Sequence, residues 1–150
     1  MQKANYQDLS KEELIELLEK VQHYSGKGQI RYPQDVLPFT KNIVKKGQEH
    51  FMVLYLNGQH SVISKKIISI GTANRTIVHP RDIFAEAVKK NAVAIIIVHN
   101  HPSGNPQPST EDTQITERIK NAGDIMGISL LDHMVVCKNG YYSYLEKGAL

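Results

Sequence analysis

Two histidines, a serine and an aspartate stand within the run His99-Asn100-His101-Pro102-Ser103-Gly104-Asn105-Pro106-Gln107-Pro108-Ser109-Thr110-Glu111-Asp112. In an extended segment residues i and i+2 project to one face, with α-carbons roughly 6.5 Å apart. The imidazoles of His99 and His101 can therefore converge on one ion while Asn100 faces the other way. The Gly- and Pro-rich stretch through Pro108 reads as a loop, and Ser109 reads as the N-cap of a helix. Such a loop can fold Asp112 back toward the histidines. Two neutral imidazoles and a carboxylate supply three ligands, which for tetrahedral zinc leaves the fourth position to water and marks a catalytic rather than a closed structural site. A water held there is acidified to a pKa of about 7 and becomes a nucleophile at neutral pH. An ordinary reading stands beside this one. Ser109 and Asp112 also fit a capping box, in which the acid at N3 does no more than receive the N-cap amide.

The elements around the run must deliver these side chains. Ala92-Val93-Ala94-Ile95-Ile96-Ile97-Val98 is a continuous apolar stretch, mostly β-branched, as expected of a strand buried on both faces. It is predicted over 92–99, with the histidines at its carboxyl end, where open α/β sheets form their sites. A helix over 109–122, closing at Gly123, follows the loop. Upstream, Ser10-Lys11-Glu12-Glu13 is a capping box, and Leu14, Leu17, Leu18 and Val21 recur at helical spacing, predicting an amphipathic helix over 10–24. A second helix is expected at 35–46 with Pro38 in its first turn. Strands are expected at 50–56 and 61–70 around the turn Asn57-Gly58, and at 130–137 and 141–145 around Asn139-Gly140. A helix over 80–91 turns Ile83, Phe84, Ala87 and Val88 inward. The order is that of a mixed α/β domain with helices flanking a mixed sheet.

Composition narrows the classes. The chain has 150 residues, 41% of them hydrophobic, with a mean hydropathy of −0.34, enough for one buried core. Its apolar runs fall short of the roughly 20 residues of a membrane span. The N-terminus is charged and amphipathic rather than signal-like, and the single Cys137 permits no disulfide framework, so the cytoplasm is the expected compartment. A net charge of +3, from 18 basic and 15 acidic residues, gives little support to nucleic-acid binding, although Lys45-Lys46, Lys65-Lys66 and Lys89-Lys90 could cluster in space. One cysteine cannot supply the P-C-x-x-C of a zinc deaminase.

The pattern His99-x-His101 followed after seven residues by Ser109-x-x-Asp112 resembles the signature of the JAMM, or MPN-type, metalloproteases. Its wording His99-Asn100-His101-Pro102-Ser103-Gly104, with Ile128-Ser129-Leu130-Leu131-Asp132-His133, resembles the bacterial RadC proteins. Gly71-Thr72-Ala73-Asn74, His79-Pro80-Arg81-Asp82 and Tyr142-Ser143-Tyr144 with Glu146 are similar as well. The likeness runs from about Pro33 to the C-terminus. It implies a division into an N-terminal helix and linker, 1–32, and a RadC-like JAMM/MPN domain, 33–150, without the helix-hairpin-helix region that stands ahead of this domain in longer RadC proteins. The implied fold is a three-layer α/β/α sandwich with a mixed sheet, of the cytidine-deaminase-like kind. The implied site is a zinc ion on His99, His101 and Asp112, a glutamate on an earlier strand that handles the proton of the water, and a serine that steadies the oxyanion. Ser109 matches the serine and Glu49 the glutamate, though Glu49 taken alone reads as a solvated residue where a strand begins.

The implied activity is that of a zinc-dependent peptidase or isopeptidase acting on a peptide or protein. Two other readings stay open: a DNA-repair-associated nucleic-acid-binding protein, as RadC proteins have customarily been labelled, and a catalytically silent interaction module. Asp132 is a candidate to orient a metal-binding histidine, and His133 could lie beside it near the site. His79 and Arg81 stand where a helix begins and could meet an anionic group, or simply start the helix. Cys137 reads as a small core residue.

Overall fold

A computed structural model describes residues 10–16, 28–71 and 78–150. The apolar run after Asn91 becomes the middle strand of a five-stranded mixed sheet, and all seven of its residues are buried. In chain order the elements are β1 (Glu49–Leu56), β2 (Val62–Gly71), α2 (Pro80–Lys89), β3 (Ala94–Asn100), α3 (Thr110–Met126), β4 (Ser129–Cys137) and β5 (Gly140–Ser143). They are preceded by a helical segment, α1, over 11–16. The strand order is β2-β1-β3-β4-β5. β3 and β4 are parallel, joined by the crossover through α3, and every other neighbouring pair is antiparallel.

Alternation in β1 and β3 divides the core into two. Phe51, Val53, Tyr55, Ile95 and Ile97 face α2 and α3 and pack with Ile83, Phe84, Ala87 and Ile119. Met52, Leu54, Leu56, Ile96 and Val98 face the other way, onto Val36 and Ile43. Both faces are covered, which is why β3 tolerates no polar residue before His99.

The mixed sheet and α/β class expected from the sequence are present, and several boundaries differ for identifiable reasons. Residues 35–46 are not an α-helix. Asp35 accepts from the amides of Arg31 and Tyr32, so helical winding starts at Pro33, and Pro38 then falls in the interior, where it cannot donate to an α-helical ladder. The segment winds as a 3-10 helix, Pro33–Thr40, and continues in turns. The β1–β2 connection is a wider loop than an Asn-Gly turn. The Asn57 side chain accepts from Gln59 and Ser61, and His60 takes the positive φ of 58°. Val88, about 100° of helix rotation beyond Ala87, falls outside the buried stripe and is 56% exposed. The β4–β5 turn is centred on Lys138-Asn139, since Gly140 already pairs with Cys137, and Tyr144 and Leu145 lie past the end of β5. The Ser10–Glu13 capping box forms; Leu17, Leu18 and Val21 lie outside the described residues, as do Thr72, Ala73 and Asn74. Among the described residues no helix is long and apolar enough to cross a membrane.

Gly123 does not end α3. The helix runs on to Met126 and is capped by Gly127 in the left-handed conformation, φ 71°. Gly123 is needed for contact: a Cβ there would stand 2.3 Å from the Ile128 carbonyl oxygen and 3.4 Å from the Phe84 ring. Gly123→Ala is therefore expected to cost about 1–3 kcal/mol through overpacking. Gly127→Ala, with open space around it, should cost about 1 kcal/mol through backbone strain alone. Urea midpoints of the two variants check the order; equal midpoints would remove the close-approach explanation.

Candidate metal centre

Register sets the position of each polar group. Phe51 pairs with His99 in the antiparallel β1–β3 ladder, so two residues further along Glu49 comes opposite position 101. His101 lies one residue past β3, yet its amide still donates to the Val136 carbonyl at 2.9 Å, which keeps the chain extended and its side chain on the same face as His99. The loop then returns to Ser109. Ser109 accepts from the Asp112 amide at 3.1 Å and its own amide donates to Asp112 Oδ2 at 2.8 Å. The capping box is real, and it aims the same carboxylate at the histidines. Asp112 Oδ1 is 3.2 Å from His99 Nε2, and Oδ2 is 3.2 Å from His101 Nε2. The two Nε2 atoms are 2.9 Å apart, and Glu49 Oε1 lies 3.9 Å from His101 Nε2.

The donor set fits a metal ion. The three ligand atoms lie within 4.8 Å of one another, and imidazole with carboxylate suits zinc among the divalent ions. Ligand bonds of about 2.0–2.1 Å around a tetrahedral ion put ligand atoms roughly 3.3 Å apart, close to the separations found here. His101 Nδ1 lies 2.9 Å from the Asn105 carbonyl, which can only accept. Its proton is thereby placed on Nδ1, and Nε2 of the neutral ring presents a lone pair to the centre.

The charges respond to one another. Burial pushes the Asp112 carboxyl up, but the adjoining His101 and His99 and the Ser109 amide outweigh it and hold the group well below the usual carboxylate range. The Asp112 hydrogen bond raises His101 against its desolvation. Glu49 is raised, chiefly by burial, against the pull of the two histidines. A small cavity of about 90 Å3, bordered by Glu49, Phe51, Val78 and Ile115, opens on one side of the cluster. A wider groove of about 400 Å3, bordered by Gly71, Pro102, Ser103 and Ser109, opens on the other.

Asp132 does not orient a metal-binding histidine. It accepts from Ser143 Oγ at 2.6 Å and from the Leu145 amide at 3.0 Å, and burial raises its pKa. The neighbour of His99 is His133, whose Nε2 lies 2.8 Å from His99 Nδ1. The cause is a shift in the β3–β4 register. Ile95 pairs with Leu130 but Ile96 pairs with Asp132, so Leu131 is an extra residue, and the residue beside Ile97 becomes His133 instead of Asp132. His133 in turn meets Thr116, one turn of α3 beyond Asp112. Sequence reading missed Thr116, although an i+4 spacing from Asp112 puts the two on one helix face.

Asn100 does face away, and it has work there. Its Oδ1 accepts from the His50 amide at 2.6 Å, and its Nδ2 donates to the carbonyls of Gln48, 3.0 Å, and Lys46, 3.3 Å. It thus fixes the backbone on both sides of Glu49. Cys137 is buried as expected, with Sγ 3.2 Å from the Gly104 carbonyl in the motif loop. His79 is the N-cap of α2, and Arg81 pairs with Asp82 at 3.8 Å on the surface.

A model of the family described as the RadC-like JAB domain matches residues 30–149. The chain belongs to this family. A UPF0758 protein of Geobacillus sp. (strain WCH70) is 46% identical over 126 residues, which is 83% of this chain and 56% of the relative. UPF0758 proteins of Clostridium novyi (48% over 122 residues, 81% and 54%) and Thermotoga maritima (44% over 120 residues, 80% and 51%) are similar to the same region. The chain spans about half the length of the curated relatives it matches. In this RadC-like JAB domain, a His-His-Asp group able to hold a metal ion therefore sits at the carboxyl end of the middle strand.

Two substitutions separate positioning from stability in this JAB domain. Asn100→Ala leaves the buried His50 amide without its acceptor and takes a donor from the Gln48 and Lys46 carbonyls, and is expected to cost about 1–3 kcal/mol. Asp112→Asn keeps an acceptor for the Ser109 amide, and so keeps the capping box, while it should abolish tight zinc binding. Chemical denaturation with zinc titration checks both; an Asp112→Asn protein that still binds zinc tightly would remove Asp112 from the ligand set.

Proposed function

We propose that this JAB domain is a zinc-dependent metallohydrolase that cleaves an amide bond, as a peptidase or isopeptidase. The observation that carries the reading is the convergence of His99 Nε2, His101 Nε2 and the Asp112 carboxylate, with Glu49 Oε1 3.9 Å from His101 Nε2. His99, His101 and Asp112 would hold the ion, and His101 and Asp112 also border the groove. When bound, zinc supplies Lewis acidity, polarising a carbonyl and lowering the pKa of a water to about 7.

The remaining steps fall to the chain's own groups. Glu49, within one water of the ligand cluster, takes a proton from the attacking water and returns it to the departing nitrogen. Its raised affinity for a proton suits that exchange. Ser109 uses its hydroxyl oxygen to accept from the Asp112 amide, so its O–H proton can be donated to the carbonyl oxygen as negative charge develops. The groove of about 400 Å3 beside Ser103 and Ser109 borders His101 and Asp112 and is where a substrate segment would lie. The reading assigns this chemistry to the domain 33–150, with 1–32 as helix and linker, and adopts for the fold the cytidine-deaminase-like three-layer arrangement.

Metal analysis of the purified protein is expected to give one zinc per chain, lost in the His99→Ala, His101→Ala double variant. Glu49→Gln should keep the metal and lower hydrolysis of a peptide library by about 100-fold or more, the usual scale for removing a general base. A native protein that binds no zinc sinks the reading; a Glu49→Gln protein of full activity removes Glu49 from it.

A further inference from the structure

Each of the two imidazoles must present a lone pair to a metal. For His101 the Asn105 carbonyl enforces this. For His99 the structure offers no carbonyl or carboxylate at Nδ1. It offers another histidine, His133, which is completely buried. A neutral imidazole can be either donor or acceptor at each nitrogen, so what fixes His99 must lie further back.

The chain of contacts leads to a group without that freedom. His133 Nδ1 lies 2.5 Å from Thr116 Oγ1, and Thr116 Oγ1 lies 2.6 Å from the Asp112 carbonyl oxygen. A carbonyl accepts only, so a hydroxyl that bonds it spends its single proton there. Thr116 then accepts from His133 Nδ1–H. Neutral His133 is left with a lone pair on Nε2, which accepts from His99 Nδ1–H, and the lone pair of His99 is left on Nε2, facing His101 and Asp112. We infer that Thr116 and His133 form a relay of hydrogen bonds that locks His99 in its metal-binding tautomer, making both of them positioning residues of the metal centre.

Packing holds the relay in place. His133 stacks on Tyr144, with ring centroids 4.9 Å apart and planes 5° apart, and the Tyr144 hydroxyl is bonded to Thr113 on α3. On the far side, Phe51 lies parallel to His99 at 6.2 Å. The closer of the two stacks, on Tyr144, holds the His133 ring parallel to its neighbour. The relay also begins on the residue that supplies the third ligand. The backbone of Asp112 orients Thr116 while its side chain meets His99 and His101, so α3 fixes the carboxylate and the tautomer together.

The inference rests on the metal reading above, and its test separates the two. Long-range proton–nitrogen NMR on the 15N-labelled full chain, with and without zinc, reads which ring nitrogen carries the proton. The zinc-loaded protein is expected to hold both His133 and His99 protonated at Nδ1. Competition titration with a zinc chelator gives the affinities. His133→Leu removes the acceptor and should weaken zinc binding by about 10–100-fold, the usual scale for a partner of a metal-bound histidine. Thr116→Val keeps the shape and frees the His133 tautomer, and should weaken binding in the same direction. His133→Gln, whose amide oxygen can take the acceptor position, should recover most of the loss. Unfolding curves of each variant identify the folded ones, and Thr116→Val and the native spectrum carry the test if His133→Leu does not fold. Native protein that binds zinc with His133 protonated at Nε2, or a folded Thr116→Val protein of native affinity, overturns the relay alone. Native protein that binds no zinc overturns the metal reading with it.

Discussion

Two imidazole nitrogens 2.9 Å apart, each 3.2 Å from an oxygen of one carboxylate, demand positive charge between them. A set of acceptors brought together without a proton or a cation is self-repelling, and repulsion grows as water is excluded. The fold nevertheless assembles them, because the framework carrying them is bound elsewhere. Ile95, Ile96, Ile97 and Val98 are each at most 1% exposed, and four such side chains contribute on the order of 6–12 kcal/mol before entropy is counted. Against that, aligning a few polar groups at the strand's end costs little. The histidines sit where they do because the core needs β3 there, and preorganisation of the site follows from core packing.

The same economy recurs at Asp112. As N3 of α3 it closes the capping box with Ser109, an interaction worth about 1 kcal/mol to a helix. As a partner of His99 and His101 it completes a group that could hold a metal ion. The two roles do not compete, since a carboxylate has about four acceptor positions and the amide takes only one. A cap and a ligand position are therefore compatible in one side chain. The cap fixes the side-chain torsions that a ligand would otherwise have to lose entropy to adopt.

What could be read from the sequence was what is local in it. The buried strand, the loop and the helix start are each written within a few consecutive residues, so β3 and α3 and the three converging side chains follow from spacing alone. Glu49 could be matched by likeness, but its place opposite position 101 depends on the β1–β3 register, which no local pattern declares. Asp132 and His133 were exchanged because one extra residue, Leu131, reverses the alternation of β4 between Leu130 and His133. Similarly, Gly123 looks like a helix terminator until its contact with the Ile128 carbonyl is known. The exchange of Asp132 and His133 comes from a departure from strict periodicity, and the misreading of Gly123 from a close packing contact.

The tripeptide His99-Asn100-His101 brings these points together. Strand alternation sends its two histidines toward α3 and its asparagine to the opposite face, where Asn100 accepts from His50 and donates to Gln48 and Lys46. His50 follows Glu49 in β1, and Gln48 and Lys46 lie in the segment that leads into the strand. The 3.9 Å between Glu49 and His101 is therefore held from two directions, by the β1–β3 ladder and by the side chain that stands between the two histidines in sequence. An aspartate at position 100 could accept from the His50 amide but would face two carbonyl oxygens with no proton to donate, and a leucine would satisfy none of the three. The middle residue of the motif thus has a structural requirement of its own: only a side chain with both an acceptor and a two-proton donor can tie the backbone around Glu49 to the histidine pair of the next strand.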